Sequence, residues 1–84
     1  MTNAKNKLQV FIRLKNGVLD VQGKAIENGI NGLGLADVSN VRVGKLIELE
    51  VNSSTPEKAK QEAEEMCKKL LANTVIENYE IKVL

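Results

Sequence analysis

The side chains that most often carry out chemistry are nearly absent from this sequence. Its 84 residues contain no histidine and a single cysteine, Cys67. A nucleophilic thiol needs a neighbouring base, and a zinc site needs several cysteine or histidine ligands. Cys67 also falls on the apolar stripe of a predicted helix, which is typical of a core position. We therefore expect no catalytic residue and no metal site in this chain.

Polar residues and glycines concentrate instead in three short segments. These are Leu14–Lys24 (LKNGVLDVQGK), Val41–Lys45 (VRVGK) and Leu70–Glu77 (LLANTVIE). Free amides at the helix start near Lys24 could attract an anion, but there is no GxGxxG or Walker pattern, and Asp20 would repel the anion. Such segments without catalytic groups are typical of a small domain that serves as an interface for larger partners.

The elements that must position these segments follow from the hydrophobic periodicity. Alternation over Leu8–Leu14 predicts a strand with one face on a core. A helix over about Val21–Gly32 then follows Asp20 as its N-cap. A second alternation predicts a long strand over Val38–Val51, which bulges or bends at Gly44.

A second helix has the clearest local signals in the sequence. It begins with Thr55 as N-cap and Pro56 at its first position, and Asn73 closes it in a left-handed conformation. Tyr79–Val83 alternates again and predicts the final strand. The apolar stripe of the second helix consists of Ala59, Ala63, Met66, Cys67, Leu70 and Leu71. The order β-α-β-(β)-α-β predicts an α+β fold, similar to the ferredoxin-like arrangement, with an antiparallel sheet and two helices on one face.

Composition narrows the class of protein further. Twelve basic and eleven acidic residues give a net charge of +1, which provides no field for binding nucleic acid or an anionic membrane. We expect one domain over residues 1–84, with 1–6 as a flexible tail, in a reducing cytoplasm.

Gly23 and Gly29 inside the first helix predict close packing against the sheet or a partner subunit. Because the core of so short a chain is small, a homodimer is expected.

The three segments, in this order and at this spacing, resemble the PurS family, the small subunit of formylglycinamidine ribonucleotide (FGAM) synthase. The match rests on LKNGVLDVQGKAI (Leu14–Ile26), NVRVGKLIEL (Asn40–Leu49) and MCKKLLANTVIENYEI (Met66–Ile81), and it covers nearly all of the chain after residue 7. Family members commonly carry proline where this chain has Val21 and Thr74. Both departures remove rigidity without removing a functional group.

The resemblance implies a non-catalytic role in purine biosynthesis. In such enzymes a glutaminase subunit releases ammonia, and a large synthetase subunit uses ATP and Mg to activate the amide oxygen that ammonia displaces. The small subunit resembles a bridge between them that supports ammonia transfer. It is expected to hold no cofactor of its own and to have no nucleic acid or membrane partner.

The residues expected to contact the partners lie mostly in the three segments. They are Phe11, Lys15, Asp20, Gln22, Lys24, Arg42, Lys45, Asn73 and Glu77. Turn formation and helix capping explain Asp20 and Asn73 equally well, and Phe11 is either an isolated exposed aromatic or part of a subunit contact. A different class of function is also open, a dimeric ligand-sensing domain of the ACT or PII kind.

Overall fold

The chain folds into a three-stranded sheet with two helices. The computed structural model describes residues 5–35 and 37–84. The elements are β1 (Lys5–Leu14), α1 (Val21–Gly32), β2 (Gly44–Asn52), α2 (Pro56–Met66), a π-helical turn (Cys67–Leu71) and β3 (Glu77–Val83). The predicted α+β class with an antiparallel sheet is confirmed.

The sheet has the order β2-β1-β3 with both pairs antiparallel, so β1 is the central strand. Leu8, Val10 and Ile12 alternate onto one face and are at most 1% exposed. Because β1 begins at Lys5, residues 5 and 6 belong to the strand and not to the expected tail. Residues 1–4 of that predicted tail lie outside the described residues.

Helix α2 covers the β1 and β3 part of this face. The Thr55 hydroxyl accepts the Lys58 amide at 3.1 Å, which confirms the predicted N-cap. Ala59 and Ala63 are fully buried. Their small side chains let the helix approach the sheet closely. Cys67 is also fully buried and lies in the core, as predicted.

The end of α2 departs from the predicted stripe. The Ala72 amide donates to the Cys67 carbonyl at 3.0 Å, which widens the last turn to the π-helical form. The wider turn shifts the side-chain positions, so Leu71 is half-buried but Leu70 is 83% exposed. The prediction that Leu70 belongs to the core is therefore wrong.

Helix α1 does not lie on the sheet face beside α2. It makes extended packing contacts with neither the sheet nor α2. The radius of gyration is 16.8 Å, whereas a compact domain of this length has about 12 Å. We call residues 37–43 the return segment. We call α1 together with the return segment the arm. Within one chain, the predicted placement of two helices on one face is therefore not observed.

The return segment also replaces the first part of the predicted long strand. The Val43 amide donates to the Asp20 carboxylate at 2.6 Å, and the Val41 amide donates to Glu27 at 3.1 Å. Because the carboxylates of Asp20 and Glu27 take these alternate amides, residues 38–43 join no ladder and β2 begins only at Gly44. The bracketed fourth strand is absent from the described residues, and the expected bulge at Gly44 is instead the start of β2.

Candidate functional site at the junction of arm and sheet

The three polar segments, distant in sequence, meet at one end of the sheet. The Lys15 amide donates to the Ile76 carbonyl at 2.8 Å, which joins the first segment to the third. The Arg42 guanidinium donates to the Val18 carbonyl at 2.8 Å and to the Lys15 carbonyl at 3.2 Å, which joins the first to the second. We call this meeting point the junction, formed by residues 14–24, 41–45 and 70–77.

Asp20 joins the two parts of the arm, α1 and the return segment. One carboxylate oxygen accepts the Gly23 amide at 2.7 Å, which confirms the predicted N-cap, and the other accepts the Val43 amide. These two amides, with a smaller effect of the Arg42 cation, hold the pKa of Asp20 below its ordinary value. The Asp20 side chain is buried, and each carboxylate oxygen accepts an amide of the same chain. Helix capping and attachment of the return segment therefore explain this residue.

Arg42 also acts within the chain. Its guanidinium holds two backbone carbonyls of the turn that precedes α1, although the side chain is exposed. Charge-assisted hydrogen bonds of this kind are stronger than neutral ones. Arg42 therefore fixes the base of the arm, and contact with a partner remains a prediction for this residue.

The ammonium group of Lys45, like that of Lys15, has no ion-pair partner among the described residues. Lys45 lies on the helix side of β2, opposite Ile12, and is exposed. A cavity of about 200 Å³ opens beside it, lined by Ile12, Leu14, Asp20, Gln22, Val43, Gly44, Lys45 and Glu77. Lys45 is thus available to an acidic group of a partner.

Asn73 and Glu77 form a turn of their own. The Asn73 side-chain oxygen accepts the Val75 amide at 3.1 Å, and Glu77 accepts the Asn73 amide at 2.7 Å. Asn73 does not have the predicted left-handed conformation. The π-helical turn has already ended the helix, so Asn73 begins the following turn. Partner contact by Glu77 remains a prediction.

The remaining candidates are dispersed. Lys24 forms an ion pair with Glu27 at 3.2 Å on α1, and Gln22 lies at the cavity rim. Phe11 lies on the sheet face away from α2, half-buried beneath the Arg13 guanidinium at 5.7 Å. Its role in a subunit contact stays a prediction, as does the role of the Lys15 side chain.

Two residues that hold the arm together are not among those predicted from the sequence. Glu27 binds the Val41 amide, and Asn31 exchanges two hydrogen bonds with Val38, at 2.8 and 3.1 Å. The Val41 amide and the Lys24 side chain hold the pKa of Glu27 below its ordinary value. Gly23, Glu27 and Asn31 follow one row at i, i+4 spacing, and this polar row beside the apolar one was the available signal.

We expect acidification to loosen α1 from the return segment. The ionised forms of Asp20 and Glu27 accept the amides, so their contribution to stability is present above the ordinary carboxyl pKa and lost below about pH 4. Urea unfolding should show a midpoint that falls between pH 5 and pH 3, roughly the carboxyl range. The Glu27→Gln variant should show a weaker fall. An equal pH dependence in both proteins would contradict this role of Glu27.

The described residues of the junction present hydrogen-bonding groups and the exposed ammonium group of Lys45. Burial raises the pKa of the Cys67 thiol, helped by the charge of Glu64, so it is a poor nucleophile. In the part of the chain that the structure describes, no group of three metal-ligating side chains occurs. Over the same residues, neither helix has the length and apolar character required to cross a bilayer.

Comparison with known proteins agrees with the resemblance seen in the sequence. The family model PurS, described as phosphoribosylformylglycinamidine (FGAM) synthase, matches residues 7–84. Subunit PurS of this synthase from Methanocaldococcus jannaschii is 49% identical over 77 residues, which are 92% of this chain and 93% of that protein.

Solved structures share the fold as well. The purS subunit from Thermotoga maritima superposes with a TM-score of 0.93 at 31% identity, covering 100% of this chain and 97% of that one. A chain of the Thermotoga maritima PurLQS structure gives a TM-score of 0.89 at 32% identity, covering 96% and 99%. This chain therefore belongs to the PurS family, whose members are subunits of the FGAM synthase of purine biosynthesis.

Proposed function

We propose that this chain bridges a glutaminase subunit and an ATP-dependent synthetase subunit of FGAM synthase and supports ammonia transfer between them. The observation that carries the proposal is the junction, where three polar segments form a recognition surface with an unpaired Lys45. The chain would contribute no catalytic group of its own to this ligase. Its similarity to a chain of the PurLQS structure from Thermotoga maritima supports an assembly with larger subunits.

The chemistry explains why such an enzyme benefits from a bridging subunit. ATP and Mg, bound by the synthetase, would activate the amide oxygen of the substrate, and ammonia would then displace it. Ammonia that escapes into water at neutral pH is mostly protonated and is no longer a nucleophile. A subunit that aligns two active sites and limits exposure of the path to water therefore raises the effective concentration of ammonia.

Exposed apolar residues in α1 and directly beside it support a homodimer. Leu19, Val21, Leu33 and Leu35 are 68 to 82% exposed. Full burial of each such side chain contributes about 1.5–3 kcal/mol. We propose that two copies associate through their arms and work in the cytoplasm with the two larger subunits. A net charge of +1 gives no support for a nucleic acid or membrane partner.

A ligand-sensing role of the ACT or PII kind is not favoured by the comparisons. The curated relatives that match this chain are PurS subunits of the synthase. The junction cavity is small and shallow for a metabolite, since ligand pockets usually enclose about 300–1,000 Å³.

Reconstitution with the two larger subunits tests the bridge. Omitting this chain should lower glutamine-dependent FGAM formation at least tenfold, on the order of the loss that misalignment produces. Turnover with ammonium chloride should change less than about twofold, since free ammonia needs no channel. Glutamate release, measured in parallel, separates glutaminase activation from transfer. Equal losses with both nitrogen donors, or turnover by this chain alone, would contradict the proposal.

A further inference from the structure

We propose that the end of α2 and the turn after it dock into an apolar pocket bordered by carboxylates on one of the two larger subunits. The docking surface consists of Met66, Leu70, Val75 and Ile76, and we call it the helix-end surface. This inference rests on the bridging role proposed above. It adds an apolar anchor to the junction and states the chemistry of the site that receives it.

The first observation is an extra residue in the buried row of α2. The buried residues of this row are Ala59, Ala63, Cys67 and Ala72. A regular α-helix would place Leu70 or Leu71 next after Cys67. The π-helical turn instead buries Ala72 and leaves Leu70 83% exposed. Turns of this kind are rare and occur frequently at functional sites, which indicates that Leu70 is directed outward for a contact.

The second observation is that other large apolar side chains close to Leu70 in the sequence are also exposed. Val75 is 81% exposed, and Met66 and Ile76 are each 38% exposed. None of these side chains belongs to the core clusters of the described residues. Concentrations of exposed apolar side chains on a small protein mark sites of protein contact. The helix-end surface also lies outside the arm, so association of two copies through their arms leaves it free.

The turn that carries Val75 and Ile76 is fixed by hydrogen bonds within the chain. The Asn73 carbonyl accepts the Ile76 amide at 3.0 Å and the Glu77 amide at 2.7 Å. The Glu77 carboxylate accepts the Asn73 amide, and the Lys15 amide holds the Ile76 carbonyl. A surface that is ordered before binding loses little conformational entropy when it docks. Asn73 and Glu77 would therefore serve the partner contact indirectly, by holding the apolar side chains in place.

The charges of this stretch define the chemistry of the partner site. Residues 66–76 contain two lysines, Lys68 and Lys69, and no acidic residue. Lys69 pairs with Glu65 at 3.8 Å. The exposed ammonium group of Lys68 has no ion-pair partner among the described residues. An apolar surface beside an unpaired lysine is complementary to an apolar pocket with carboxylates at its border.

The helix-end surface continues into the junction cavity. Glu77 ends the turn and lines this cavity together with Lys45. Because the two surfaces adjoin, one larger subunit would cover both. Lys45 and Lys68 would then meet acidic groups of the same subunit.

Binding of the full chain to the larger subunits tests the proposal. The chain carries a fluorophore at its N-terminus, and its anisotropy is measured as the two larger subunits are added together. Leu70→Ser should weaken binding about tenfold or more, because loss of a central apolar anchor has an effect of this size. The matched control is Leu84→Ser, the same change at a 64% exposed side chain directly after β3. Its affinity should stay within about twofold of the parent value.

Lys68→Glu tests the acidic border of the pocket. The change brings like charges together and should weaken binding about tenfold. Lys60→Glu, the same change at another exposed position of α2, should leave the affinity near the parent value. Equal affinities of the two variants would overturn the acidic border.

Photocrosslinking identifies what covers the helix-end surface. A benzophenone side chain in place of Leu70 should attach to one larger subunit when the assembled enzyme is illuminated. A benzophenone in place of Lys45 should attach to the same subunit. Attachment of the Leu70 probe to a second copy of this chain would overturn the proposal. Attachment of the two probes to different subunits would overturn the shared site.

The same measurements separate this inference from the bridging role. Suppose that Leu70→Ser keeps the parent affinity, circular dichroism and melting temperature while glutamine-dependent turnover still requires this chain. The docking surface would then be overturned and the bridge would stand. A tenfold loss of affinity in Leu70→Ser, with a parent chain that does not raise glutamine-dependent turnover, would contradict the bridge and leave the docking surface standing.

Discussion

Replacing Gly23 by alanine is expected to destabilise the protein, although alanine normally favours a helix. A Cβ at this position would overlap the Val41 carbonyl oxygen and lie 2.7 Å from an Asp20 carboxylate oxygen. Because the Val41 oxygen belongs to the backbone, it cannot move aside without shifting the return segment. The overlap would therefore lower the free energy of unfolding by about 1–3 kcal/mol. The return segment would separate from α1. Urea unfolding of the Gly23→Ala variant should show the loss as a lower midpoint with an unchanged slope.

Gly29→Ala is the matched control in the same helix. Apart from its sequence neighbours and the backbone of α1 itself, no atom of the described residues lies within 4 Å of the Cβ that would be added there. Alanine should therefore raise the free energy of unfolding by up to about 1 kcal/mol, through helix propensity. If both variants shifted the unfolding midpoint in the same direction, the close contact between Gly23 and Val41 would not be what holds the arm together.

Reversing the charge of Lys45 is expected to have the largest effect on the assembled enzyme. The Lys45→Glu change places a third carboxylate beside Asp20 and Glu77 at the junction cavity. Like charges brought together at an interface cost several kcal/mol, so glutamine-dependent turnover should fall by about tenfold or more. Turnover with ammonium chloride should stay unchanged, because it does not depend on docking.

The control for Lys45 is Lys60→Glu, the same charge change on the exposed face of α2. It should leave glutamine-dependent turnover near the parent value. Lys60→Glu should keep the parent melting temperature because its side chain is exposed, and Lys45→Glu should remain folded at the assay temperature, as circular dichroism would show. If Lys60→Glu lowered turnover as much as Lys45→Glu, net charge would explain the loss and the junction would not.

Arg42 requires a different expectation from Lys45. The sequence predicts both residues as partner contacts. In the structure, however, the Arg42 guanidinium holds the Lys15 and Val18 carbonyls. Arg42→Glu therefore removes two charge-assisted hydrogen bonds at the base of the arm. The variant would be less stable, and part of any loss of turnover would come from that lower stability.

The sequence by itself determined the elements whose signals are local. Alternation alone fixes which side chains of β1 are buried, because successive residues of a strand point to opposite faces. Thr55 and Pro56 mark the start of α2, and Asp20 marks the start of α1, because a cap binds amides only three residues away. The absence of histidine and the three polar segments were likewise evident from composition and spacing.

Only the tertiary structure decided where α1 lies and where β2 begins. Residues 38–43 alternate like a strand, but Asp20 and Glu27, distant in sequence, take the amides that a neighbouring strand would need. Leu70 fits a helical stripe, yet the π-helical turn directs it to solvent. In each case the outcome depends on which distant group takes a backbone hydrogen bond. Periodicity reports burial and local propensity, and it carries no information about that choice.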